Sequence, residues 1–277
     1  MAFRAAAVGA LALTAVIVVP VAYARTAAEA AAGPSVTAAP VRDAPVVVGA
    51  PARLMNQLST GSGNATITLL GDSTGNDKSE WFYQLSTWIA ARYPGYRTTY
   101  RQWDHKKQAY GAPVVLGPGT GWLSLSLYNG SVGGAKAGYA VEGDRFGKLT
   151  AQGGNLFLLN YSHNESRDTT YPAYERLTAK LAALSPRPDI VPVLQNPEGP
   201  PSKTSLQRYA HHVRLRAIKR LAEANGWTTI DAHRQFAADQ RPLSALVPDG
   251  VHPNAAGQAL WLSADVEQWV QQTGRSR

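Results

Sequence analysis

From residue 65 onward the apolar positions change period repeatedly, and each change marks an element. Ile67-Thr68-Leu69-Leu70 is a short apolar and β-branched run that stops at Gly71-Asp72-Ser73. Residues 79–92 follow with an amphipathic, helix-like pattern. Together they predict a buried strand, a tight turn and a helix. Residues 96–103 read as a second strand, and residues 122–128 alternate apolar with polar side chains as a strand does. Residues 155–161 form a strongly apolar strand and residues 189–194 a short buried one. Helical spacing returns over 171–184, 202–225 and 254–272, and Gly226 is placed to end the second of these. Residues 227–231 read as a last strand. The stretch 104–120 is irregular, broken by Gly111, Pro113, Gly117, Pro118 and Gly119, with Val114-Val115-Leu116 as part of a hairpin.

Strands alternating with helices at this spacing imply an α/β fold, a parallel sheet with helices on both faces. Ligands bind such sheets beyond the carboxyl ends of the strands. Ser73, Gly134 and Asn164 each lie just past the end of a predicted strand. One sheet edge can therefore gather all three.

Two segments ahead of this pattern lack it. Residues 1–24 read as a signal peptide: Arg4 supplies positive charge, residues 5–21 are apolar, and Ala22-Tyr23-Ala24 fits a cleavage site. Cleavage after Ala24 and export are expected, with an uncleaved membrane anchor as the alternative because the apolar run is long. Residues 25–64, punctuated by Pro34, Pro40, Pro45 and Pro51, read as an Ala/Pro-rich linker, largely disordered. The folded domain is then 65–277. At 44% hydrophobic and 17% charged residues the bulk is globular. The net charge of +8 is spread over scattered Lys and Arg with no long basic run, so nucleic acid is not an expected partner. An anionic cell envelope would suit such a surface. The absence of cysteine excludes disulfides and thiolate metal sites.

The candidate chemistry lies at the two ends of the domain. A serine raised on a turn between a strand and a helix faces unpaired amides at the helix N-terminus, which favour a developing oxyanion. Asp249-Gly250-Val251-His252 sits in a Pro/Gly-rich loop just ahead of the closing helix. A serine nucleophile needs a base, and the base needs an orienting carboxylate. His252 and Asp249 offer both, three residues apart. Asp72 has a simpler role, bonding nearby backbone and shaping the turn.

Four separated blocks, Gly71-Asp72-Ser73, the turn ending at Gly134, the turn holding Asn164, and Asp249-x-x-His252, resemble the SGNH/GDSL hydrolase family. The resemblance spans roughly 67–270. It implies a three-layer α/β/α fold of flavodoxin-like type and a serine esterase working through an acyl-enzyme. By resemblance Ser73 is the nucleophile, His252 the general base and Asp249 its orienting acid. The oxyanion hole would draw on the Ser73 N–H, a glycine N–H and an asparagine side chain. Gly134 matches the glycine best, with Gly133 as the alternative; Asn164 matches the asparagine, with Asn160 as the fallback. Two departures stand out. Ser162-His163-Asn164-Glu165 replaces the family's common Gly-x-Asn-Asp, and Thr74 replaces a frequent Leu.

Rival readings share some of these residues. Gly71-Asp72-Ser73-Thr74-Gly75 also fits the nucleophile elbow of α/β-hydrolases, but only one convincing strand precedes it. A secreted glycan-binding module without catalysis would use aromatics such as Trp103 and Trp122. A metal enzyme built on His211-His212 is disfavoured, because adjacent helical residues point about 100° apart. No metal or cofactor is expected. His163, beside Asn164, is a candidate substrate contact together with Trp103 and Trp122. The expected substrate is an ester on a small molecule or polymer, with lipid and carbohydrate both open. The irregular segments 104–120 and 196–203 are expected to overhang the site. Asn160 and Asn164 each begin a glycosylation acceptor pattern, read here as chance matches.

Overall fold

The structure, a computed structural model, describes residues 50–166 and 170–274. The leader and the linker up to residue 49 lie outside the described residues.

The first strand, β1 (Ala65–Gly71), is the centre of the sheet. It pairs in parallel with β5 (Ser124–Asn129) on one side and β6 (Leu156–Asn160) on the other. Beyond β5 lies β2 (Arg97–Asp104), and beyond β6 lie β7 (Asp189–Leu194) and β8 (Ile230–Asp231), all parallel. Two short strands, β3 (Ala109–Tyr110) and β4 (Val114–Gly117), pair antiparallel with β2 at the sheet edge. The stretch 104–120 thus builds edge strands.

Strand β1 shows why both faces carry helices. Ile67 and Leu69 point into one core and Leu70 into the other, and all are fully buried. The first core is closed by α1 (Ala50–Thr60), α2 (Trp81–Arg92), α6 (Ala232–Ala238) and α8 (Ala255–Gly274). The second is closed by α4 (Thr170–Ala182) and α5 (Ser205–Ala224), with the 3₁₀ turn Ala137–Val141 and the short α3 (Arg145–Thr150). A four-residue helix α7 (Leu243–Leu246) leads into the last loop. In the first core Trp81 and Trp261 stack at 5.5 Å with planes 4° apart. The Trp81 amide, an orphan donor at the start of α2, donates to Gln258 Oε1 of α8 at 2.8 Å. The helix that follows Ser73 is thereby fixed to the helix that follows His252.

Helix α1 departs from the sequence reading, which placed its residues in the linker. Leu54, Met55 and Leu58 share one face and are buried, and Arg53 pairs with Asp189 at the start of β7. Its short apolar stripe is hidden by Ala/Pro-rich flanks, and Pro51 is tolerated in the first turn of a helix.

Candidate active site

Strand β1 delivers Ser73, the candidate nucleophile. A Cβ on Gly71 would come within 2.8 Å of Ser131 Oγ and 3.0 Å of Asn160 Cβ, so only glycine allows the strand to end there. Asp72 is fully buried beneath the turn. Its Oδ1 accepts from the Thr74 amide at 3.0 Å and the Thr74 hydroxyl at 2.8 Å, the turn-shaping role expected of it.

Ser73 Oγ lies 2.9 Å from His252 Nε2, and His252 Nδ1 lies 2.6 Å from Asp249 Oδ2. The three side chains, drawn from opposite ends of the domain, form one continuous line. Asp249 Oδ1 accepts from the amides of Val251 and His252 at 2.8 and 2.7 Å. Burial pushes the Asp249 carboxyl up. The hydrogen bonds from the His252 ring and from the Val251 and His252 amides outweigh this and hold its pKa below the usual value. An ionised Asp249 keeps the proton of neutral His252 on Nδ1, leaving the Nε2 lone pair toward Ser73.

The loop carrying Asp249 and His252 is clamped from the β7 side. Gly250, at φ +85°, lies so close to Gly199 that a Cβ would overlap its carbonyl. The Gly199 amide donates to Gly250 O at 2.8 Å, Ser202 Oγ donates to Asp249 O, and Asn196 Nδ2 donates to Val251 O at 3.1 Å. The expected overhang of 196–203 is therefore a support for the acid–base loop. Asn254 also caps α8, its Oδ1 accepting from the Ala256 and Gly257 amides at 3.1 Å each.

Of the oxyanion candidates, Gly133 stands beside Ser73. A Cβ on Gly133 would stand 4.0 Å from Ser73 Cβ, and Gly134 adopts φ +73°. With its carboxamide oxygen turned to Gly133, Asn76 accepts that amide at 3.2 Å and donates to Ser73 O at 3.1 Å. This orientation engages the Gly133 N–H. Asn164 reaches the same turn, its Nδ2 donating to Ala135 O at 3.2 Å. Asn160 instead lies fully buried under the nucleophile turn, where its Nδ2 donates to Thr74 Oγ1 at 3.0 Å.

Gln195, at the end of β7, was not singled out from the sequence, yet it joins these turns. Its Oε1 accepts from the His163 amide at 3.0 Å and from the Ser162 hydroxyl. Its Nε2 donates to Asp72 Oδ2 and Thr74 Oγ1 at 3.0 Å each. Ser162 Oγ lies 2.9 Å from His211 Nε2, which must then donate. Burial, with His163 next, keeps His211 well below the usual imidazole range and so neutral. A directed chain of donors thus runs from His211 through Ser162 and Gln195 to Asp72. The only sequence signal for it is a Gln-Asn pair ending an apolar run.

Trp122 and Trp103 are corrected as substrate contacts, and the ring of His163 is turned to the interior. Trp122 is 85% exposed and precedes the first residue of β5. Because β5 runs parallel to β1, Trp122 stands at the end of the sheet opposite Ser73. Trp103 is buried, with Tyr110 edge-on at 5.0 Å and its Nε1 donating to Tyr139 OH at 3.1 Å, so it serves the core. His163 is 3% exposed and turns inward, with Nδ1 3.2 Å from Glu198 and Nε2 3.3 Å from Asn196 Oδ1.

Among the described residues, His163, Glu198 and His211 bring potential metal-ligand atoms within 4.8 Å of one another. The arrangement does not suit an ion. The two rings stack at 4.5 Å with planes 18° apart, so their in-plane lone pairs cannot converge on one point. Lys203 and Arg214 already bring positive charge to Glu198 Oε1, at 3.4 and 3.8 Å.

A mostly parallel sheet between helices carries serine, histidine and aspartate in one hydrogen-bonded line at the strand ends, the geometry of a Ser-His-Asp triad. Residues 69–260, more than half of the chain, match the model of the GDSL-like Lipase/Acylhydrolase family, and the protein belongs to that family. No curated protein matches the chain.

Solved structures share the fold at low identity. One is a two-domain esterase (CEX) active on acetylated mannans, co-crystallized with mannopentaose. It is 15% identical with TM-score 0.58, over 80% of this chain and 53% of that one. The chain thus spans about half the length of that esterase. Axe2, an acetylxylan esterase from Geobacillus stearothermophilus, is 14% identical with TM-score 0.54, over 75% of this chain and 95% of its own. LAE5, an alpha/beta hydrolase enzyme from the metagenome of Lake Arreo, Spain, is 16% identical with TM-score 0.55, over 76% and 96%.

Proposed function

We propose that the protein is an exported serine esterase that removes small acyl groups, acetyl above all, from carbohydrate. The observation that carries the mechanism is the unbroken line from Ser73 through His252 to Asp249. In this reading His252 Nε2 takes the Ser73 proton as Oγ attacks the ester carbonyl. The oxyanion is met by the Ser73 amide, the Gly134 amide and the Asn164 side chain, whose second N–H is left over from its bond to Ala135. With the Gly133 N–H held by Asn76, Gly134 is favoured as the glycine donor. Collapse of the tetrahedral intermediate expels the alcohol, protonated by His252, and leaves an acyl-Ser73. Water activated by the same histidine then releases the acid and restores Ser73. Asp249 stabilises the imidazolium in both halves. The chain's own residues supply nucleophile, base and charge stabilisation.

The acetyl-carbohydrate preference is supported by the neighbours named above, two of which act on acetylated mannans or acetylxylan. Export rests on the leader read from residues 1–24, and a basic exported protein would sit readily against an anionic envelope.

The test is hydrolysis of p-nitrophenyl acetate and butyrate, and of acetylated xylan, by the parent and by Ser73→Ala. Turnover favouring acetate, with a loss on the order of 10³-fold or more in the variant, is expected. Full activity in Ser73→Ala would remove the nucleophile. A rate rising with acyl length would move the substrate to lipid.

A further inference from the structure

A cavity of about 400 Å³ opens between the turn around Asn164, the segment 198–203 and the start of α5, and takes no part in the chemistry described so far. Its walls are the sequence neighbours of functional residues. His163 and Glu165 flank Asn164, and Lys203 follows Ser202, which bonds the carbonyl of Asp249. The cavity is thus bordered by the turn that holds Asn164 and by the segment that supports the loop of Asp249 and His252.

Its chemistry is that of an amphipathic, uncharged ligand. Leu206 and Tyr209, on the first turns of α5, line it while remaining 76% and 62% exposed. Two large apolar side chains offered to water at a cavity mouth form a platform for an apolar face. The interior is polar and charged, but evenly so. Glu165 and Glu198 are matched by Lys203 and Arg214, so the formal charge of the lining is zero within a chain of net +8. Neither a cation nor an anion is drawn in by net charge. One feature asks for a donor: the Glu198 side chain is completely buried, and its Oε2 has no hydrogen-bond partner. An unmet buried carboxylate oxygen is costly, and a hydroxyl brought into the cavity would meet it. An acyl chain would leave it unmet.

We infer that this cavity is a subsite for a neutral pyranose unit of the substrate, with Tyr209 against the sugar's C–H face and Glu198 and Lys203 receiving its hydroxyls. The inference deepens the esterase reading by placing the carbohydrate, and it rests on that reading for its biological sense. The binding itself requires no catalysis.

The test is therefore a calorimetric titration of the full chain with unacetylated xylopentaose and mannopentaose, alongside Tyr209→Ala, Glu198→Gln and Trp122→Ala. At least one oligosaccharide is expected to bind. Tyr209→Ala should raise Kd about 5-fold, as loss of an aromatic platform does, and Glu198→Gln about 10-fold or more. Trp122→Ala, at the far end of the sheet, should leave Kd unchanged. Glu198 is buried, so if Glu198→Gln fails to fold, the exposed Tyr209 alone decides the outcome. No binding of either sugar, or binding that Tyr209→Ala leaves intact, overturns the subsite. The p-nitrophenyl acetate assay of Ser73→Ala stands apart from this titration. Turnover lost in that variant but no sugar binding would refute the subsite and keep the esterase.

Discussion

The two sides of the nucleophile are built on opposite principles. On one side, His252 and Asp249 stand on a loop with side chains 44% and 52% exposed, held almost wholly through backbone contacts. On the other, Asp72, Gln195 and Ser162 are completely or almost completely buried and bond one another through side chains. In the proposed mechanism the exposed side does the proton transfer and must reach solvent and substrate. The buried side has no part in that transfer, yet it ties the turn carrying Ser73 to the turn carrying Asn164. Reactive groups tolerate exposure because their geometry is set by a clamped backbone, whereas the support depends on complete pairing in a dry interior.

Breaking each side separately should give different signatures. The largest effect is expected on the exposed side. Asp249→Asn keeps the shape but loses the charge that sets the His252 tautomer, so kcat should fall by roughly 10³–10⁴ with little change in melting temperature. Steady-state kinetics beside thermal unfolding would check it. Equal losses of activity and stability would make Asp249 a structural residue.

On the buried side the order reverses. Gln195→Leu strands the Ser162 hydroxyl, the His163 amide and one oxygen of Asp72, so stability should drop by about 2–4 kcal/mol. The folded fraction should lose about 10-fold in kcat with KM nearly unchanged, because the oxyanion donors shift without loss of binding surface. Denaturant melts and kinetics on the same preparation would read both. Unchanged kcat in a destabilised variant would separate this network from catalysis.

The smallest effect on activity should come from Asp265 in α8, whose side chain makes no hydrogen bond to either side of the site. It is completely buried, both carboxylate oxygens lack partners, and burial raises its pKa well above the ordinary 3.8. A carboxyl raised on folding holds its proton more tightly in the native state, so its penalty is absent below pH about 4 and grows as pH rises toward the folded value. Asp265→Asn should melt higher than the parent near pH 7, with the gap closing as pH falls toward 4, and with kcat unchanged. A gap that widens in acid would reverse the assignment.

The same contrast explains what was legible in the sequence. Strand β1, its turn and Asp249-x-x-His252 are written locally, in an apolar run that stops at Gly71 and in residues three apart in one loop. Their meeting at 2.9 Å follows from a parallel sheet that delivers strand ends to one edge. The buried support has no such signature. Gln195 matters through contacts with residues 123 and 33 positions away, which no window reveals. Trp103 and Trp122 failed for a related reason: an aromatic's side of the sheet and its burial are decided by tertiary packing, so one became core and the other stands at the wrong end. Helix α1 was lost to composition, its three apolar contacts too few to stand out from Ala and Pro.

The central claim is that Ser73 is a nucleophile activated by His252 in this arrangement. The most direct measurement is mass-spectrometric mapping of the chain after reaction with a fluorophosphonate, compared with His252→Ala. A single stoichiometric adduct on Ser73 is expected, forming at least about 10²-fold more slowly without His252. An adduct on another serine, or labelling of Ser73 indifferent to His252, would contradict it.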